Sequence, residues 1–161
     1  MENDGRRDFD FLFGSWRVRN RRLAQLLVGS DEWHEFETTA EARPILGGLG
    51  NVDSFTAAAM PPENTPWEGV TLRLFDPRGR RWRIWWTSTT NPGQLDPPMI
   101  GRFQNGLGVF FGTDVFAGTP IRVRFQWRSL GPSQARWEQA FSADDGAGYE
   151  TNWIMTFERS G

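Results

Sequence analysis

Between Ile121 and Arg128 the side chains alternate without a break. Ile121, Val123, Phe125 and Trp127 fall on one side, and Arg122, Arg124, Gln126 and Arg128 on the other. A period of two is the mark of an extended strand with one dry face and one wet face. The pattern recurs along the chain. Trp16, Val18 and Asn20 oppose Arg17, Arg19 and Arg21 within 15–26; His34, Phe36, Thr38 and Ala40 oppose Trp33, Glu35 and Glu37 within 31–42. Val70, Leu72 and Leu74 alternate with Thr71 and Arg73, and Trp82, Ile84, Trp86 and Ser88 with Arg81, Arg83, Trp85 and Thr87. The last two segments, 135–142 and 149–159, carry Trp137 and Phe141, then Trp153, Met155 and Phe157, at the same spacing.

The connections are turn chemistry. Asp76-Pro77-Arg78-Gly79, Gln104-Asn105-Gly106, Gly118-Thr119-Pro120 and Gly131-Pro132-Ser133 break the alternation, and each brings residues that favour reversal. Stretches 60–66 and 91–98 are proline-bearing loops. Residues 143–148 contain Asp144-Asp145-Gly146, which passingly resembles a calcium loop but lacks its alternating ligands and distal glutamate; it reads as a hairpin turn. Phe9, Leu12 and Phe13 share one face of a short helical turn ahead of the first strand. Leu46–Ala57 starts with Gly47, Gly48 and Gly50 and then extends. The expectation is an all-β fold: one antiparallel up-and-down barrel of about ten short strands, in a single domain spanning 1–161, with no long helix.

Composition narrows the chemistry. The 161 residues contain no cysteine, which removes disulfides, thiol nucleophiles and cysteine-held metal. Every basic residue counted among the 18 is arginine, so Schiff-base chemistry on lysine is excluded. His34 and Tyr149 are the single histidine and tyrosine, and a multi-histidine metal site cannot be assembled within one chain. The net charge of −2 argues against a nucleic-acid partner. No apolar run is long enough to cross a membrane as a helix. The polar start 1–7 leads into no signal-type core, so a cytoplasmic location is expected.

Gly14-Ser15-Trp16, at the start of the first strand, resembles the Gly-x-Trp signature of the calycins, the lipocalin-like barrels. Arg159, at the end of the last strand, resembles the arginine that stacks over that tryptophan and closes the barrel floor, a sound cation–π contact. The segments FDFLFGSWRV, PILGGLGNVD, ARWEQAFSADDG and YETNWIMTFER are together similar to a bacterial family of calycin-like proteins. The resemblance implies a cup for a small, largely apolar molecule. It also raises haem, as in nitrobindin-like barrels, but there the ligand histidine comes late in the chain, where this sequence has none. No cofactor is therefore assigned.

Nine tryptophans and 13 phenylalanines can fill a core or line a pocket. The dry parity assigns Phe36, Trp82, Trp86, Phe125, Trp127, Trp137, Phe141 and Trp153 to a ligand-facing interior, with Asn20, Gln139 and Thr151 as polar anchors. His34, Tyr149, Asp53 and Asp114 are the candidates for moving a proton, since a carboxylate or imidazole facing an aromatic cavity has a perturbed pKa. Glu138, Glu150 and Asn152 fall on the outward parity, and a bulge would exchange the faces. Trp33 and Trp85, outward, with Trp67 placed in a loop, mark a sugar-binding or subunit surface, so a homodimer is an expected assembly. Three readings follow: a barrel that binds a small hydrophobic or aromatic molecule; a cofactor-independent cyclase, isomerase or dehydratase using the same cavity; or a module whose barrel is simply filled.

Overall fold

The computed structural model describes residues 3–160; Met1 and Glu2, part of the polar start, lie outside them. Ten strands follow one 3-10 turn at Asp10–Leu12. They are β1 (Gly14–Leu23), β2 (Trp33–Ile45), β3 (Gly50–Met60), β4 (Thr65–Asp76), β5 (Arg81–Ser88), β6 (Met99–Gln104), β7 (Leu107–Phe116), β8 (Thr119–Ser129), β9 (Gln134–Ser142) and β10 (Glu150–Arg159). Each pairs antiparallel with its chain neighbours, and β10 returns to β1, closing the barrel. Closure leaves no open sheet edge. Among the described residues, no helix is long and apolar enough to cross a membrane.

One end is shut by the segment leading into β1. Phe9 is completely buried, its ring 5.1 Å from Trp82 and 5.0 Å from Phe103. The indole N–H of Trp16 donates to the Leu12 carbonyl at 2.8 Å, tying the turn to the strand. Arg159 pairs in register with Trp16, and its guanidinium carbon lies 4.1 Å from the indole centroid. The same guanidinium donates to the carbonyls of Phe13 at 2.6 Å and Phe11 at 3.0 Å. Gly14 is required there: its φ is 114°, and a Cβ would sit 2.6 Å from Arg159 Nη1.

Two strands depart from the sequence expectation. In β4 the apolar Val70, Leu72 and Leu74 face outward, while Trp67, Thr71, Arg73 and Phe75 are buried inside. Trp67, expected in a surface loop, is an interior wall residue at 3% exposure. In β10 the register against β9 shifts between Thr151 and Trp153. That bulge turns Asn152 and Trp153 inward together and exchanges the faces ahead of them.

Candidate functional site

At the end opposite Phe9 the barrel is not filled. A cavity of 280 Å³ opens there, walled by Trp67, Trp86, Trp137, Trp153, Phe125 and Phe141. The rings brace one another: Phe125 and Trp137 lie 5.1 Å apart, Trp67 and Trp86 5.8 Å, Trp137 and Trp153 5.8 Å. Such offset and edge contacts hold aromatic walls in place. The space also depends on Gly69, whose absent side chain is replaced by the rings of Trp86 and Trp67; any Cβ at that position would overlap Trp86.

The sequence-derived site residues divide by position. Trp86, Phe125, Trp127, Trp137, Gln139, Phe141, Trp153 and Asp114 line the cavity. Trp82 is inward but belongs to the closed end, where its indole N–H donates to the Gly5 carbonyl at 3.2 Å. Phe36 stands on the interior face 6.4 Å from Trp153 and supports it from behind. Asn20 is buried and accepts the Trp153 indole N–H at 2.9 Å, while its amide donates to Thr38 Oγ1 at 3.2 Å. It thereby fixes the rotamer of a wall tryptophan.

Gln139 donates to Asn152 Oδ1 at 2.8 Å, which anchors the amide from the β10 bulge. His34 has the interior parity of Phe36 and sits across from Arg22 at the rim. It is not a wall residue of the cavity.

Three expectations are corrected. Tyr149 lies outside the barrel, against Phe111 at 6.5 Å with the Arg124 guanidinium 4.5 Å over its ring. Thr151 pairs with Ala140, between the cavity-lining Gln139 and Phe141, and so faces outward. Glu150 and Asn152, expected outside, turn inward, and Glu150 accepts the Leu27 N–H at 2.7 Å. One bulge accounts for all of these. Asp53 is inside, but it is held by Arg73 at 2.7 Å, both side chains being 2% exposed. This places it in a buried ion pair beneath the cavity.

The site also contains residues that the alternation did not bring forward. Arg73 lines the cavity bottom, its guanidinium carbon 4.8 Å from Phe9 and 5.3 Å from Trp127. Trp67, Gly69, Thr71, Arg73 and Phe75 share one parity in the sequence, so the flanking aromatics carried the signal. Arg22 shares the parity of Trp16, Val18 and Asn20, and its guanidinium carbon lies 4.7 Å over Trp153. Asp96 reaches the mouth from the loop between β5 and β6, a place no periodicity marks.

Burial, and then the negative charge of Asp114, push the Asp96 carboxyl above the usual aspartate range, against a hydrogen bond from Asn91 at 3.2 Å. A carboxyl raised in the folded state destabilises that state when ionised. Asp96→Asn is therefore expected to raise the melting temperature at pH 7. The gain should shrink as pH falls through the folded pKa and vanish below the unfolded value of about 3.9, where both states are protonated. Thermal melts across pH 3–8 read this directly. Among the described residues, no three His, Cys, Asp or Glu side chains converge to hold a metal ion.

No family model matches this chain, and no curated protein does. Solved structures of barrels do match. A designed fluorescence-activating β-barrel has a TM-score of 0.51 at 13% identity, over 99% of this chain and 100% of its own. A further barrel, mFAP2b bound to DFHBI, scores 0.52 at 12% identity over 97% and 99%. Rv2717c from M. tuberculosis scores 0.58 at 10% identity over 96% and 98%. At these identities the likeness is one of fold: a closed antiparallel β-barrel.

Proposed function

We propose that this barrel encloses a small hydrophobic or aromatic molecule, in the manner of a calycin. The carrying observation is the 280 Å³ cavity walled by tryptophan and phenylalanine and open at one end. That volume is near the lower end of small-molecule sites, about 300–1,000 Å³, which suits a guest of two or three rings. Apolar burial supplies the driving force and Gln139 a directional contact. The stacked Arg159–Trp16 floor and the mFAP2b barrel bound to DFHBI support the reading.

Phenylnaphthylamine, a neutral dye that brightens in apolar surroundings, is the test. It is expected to bind the full chain with a Kd on the order of micromolar. Gly69→Val, which drives a side chain into Trp86, is expected to weaken binding about tenfold or more. A folded wild-type protein that leaves the dye dark would overturn the proposal.

The enzyme reading has one observation in its favour. Asp96 is a half-enclosed carboxyl with a raised pKa beside Asp114 at the cavity mouth, a setting suited to proton transfer. In this reading Asp96, with Asp114, takes the proton-transfer role expected of His34, Tyr149 or an inward carboxylate. If Asp96→Asn leaves turnover of a cyclisable substrate panel unchanged, this reading fails.

A further inference from the structure

We propose that the guest of this cavity carries an anionic group, a carboxylate or sulfonate, and that Arg22 receives it at the mouth; this rests on the binding function proposed above. The arginines of β1 make the contrast. Arg17, Arg19 and Arg21 face outward and lie near carboxylates: Glu37 at 3.9 Å, Glu158 at 4.0 Å and Glu35 at 3.4 Å respectively. Arg22 breaks from that row. It lines the cavity, and among the described residues its guanidinium makes no hydrogen bond and has no carboxylate partner, lying instead 4.7 Å over the ring of Trp153.

Stacking uses the face of the guanidinium and leaves its edge free. That edge presents N–H donors in a fork that fits two oxygens at once. Arg22 stands exposed at the mouth, with the lining residues close enough on its inner side to lower its pKa. A cation at the mouth with no counter-charge of its own can take one from an incoming guest.

The surrounding charges favour the same end. His34 is the cross-strand partner of Arg22 and adds an imidazole, and no carboxylate, to that rim. Glu150, on neighbouring β10, is engaged by the Leu27 N–H at 2.7 Å and is not bonded to Arg22. Deeper down, Arg73 is already neutralised by Asp53 at 2.7 Å and does not compete for an anion. Asp96 and Asp114 stand on the other side of the mouth, near β6 and β7, across the barrel from β1. Their negative charge disfavours an anion there. The guest's charged end therefore sits by Arg22, with its rings between Trp153 and the opposite tryptophans.

The test uses two dyes that share their rings and differ in one group: anilinonaphthalene sulfonate and neutral phenylnaphthylamine. With the full chain at low salt, the sulfonate is expected to bind about tenfold tighter. Arg22→Met should erase that advantage, weakening the sulfonate about tenfold more than it weakens the neutral dye. Arg19→Met, which removes an outward charge of the same strand, should leave both affinities unchanged and exclude surface adsorption. Equal binding of the two dyes by the wild type, or a sulfonate affinity indifferent to Arg22→Met, overturns the proposal while the binding function stands. Failure of both dyes to bind removes the binding function, and this proposal with it.

Discussion

Arg73→Met is expected to lower the unfolding free energy by about 3–5 kcal/mol, whereas Arg73→Met combined with Asp53→Leu should cost no more than about 1 kcal/mol relative to the native chain. The single change leaves the Asp53 carboxylate without the donor that now meets it at 2.7 Å, and leaves Asn51 Oδ1 without its 2.9 Å donor. Both acceptors are 2% exposed or less, so water cannot take the place of the guanidinium. The double change removes the charges together. It is tolerated because the present network is itself incomplete: Arg73 Nε, Asp53 Oδ1 and Asn51 Nδ2 have no hydrogen-bond partners among the described residues. A half-satisfied buried network contributes little over apolar groups of similar shape. Chemical denaturation of the two variants reads the difference. A single variant that loses under about 1 kcal/mol would mean that Asp53 is not charged and paired as described.

The same pair shows where a one-strand reading stops. The strands, their number and the aromatic interior were legible because alternation is a local signal that each segment carries alone. Trp86, Phe125, Trp137 and Trp153 reached the cavity wall on that basis. Arg73 did not, because an arginine reads as outward until its partner is known, and the partner comes from β3. Val70, Leu72 and Leu74 strengthened the wrong face of β4, since an antiparallel barrel also carries apolar groups outside. The β10 bulge displaced Tyr149 and Thr151 from the interior and drew in Glu150 and Asn152. A single inserted residue inverts the face of everything before it and leaves no mark in composition. Asp96 was invisible for a third reason: loops have no period. The void was also beyond a parity argument, because parity says which side chains point inward and not whether they meet.

Phe9→Ala is expected to cost about 3–5 kcal/mol, the range for deleting a buried phenylalanine ring. Its ring is fully buried and touches Trp82, Phe103, Phe110 and Trp127, with centroid separations from 5.0 to 6.1 Å. It comes from outside the sheet, so no neighbouring strand can shift to refill the space. The loss also reaches the ion pair, because Phe9 covers the Arg73 guanidinium at 4.8 Å. Removing the ring admits water to Arg73 from the closed end, and a hydrated guanidinium is worth less as the partner of Asp53. Phe9→Ala and Arg73→Met should therefore be less than additive, with a coupling of about 1 kcal/mol or more. Additive losses would mean that the plug and the pair act independently. In that event the closed end serves only to fill space. A measured coupling would instead make the segment before β1 the cover that keeps the charges beneath the cavity dry.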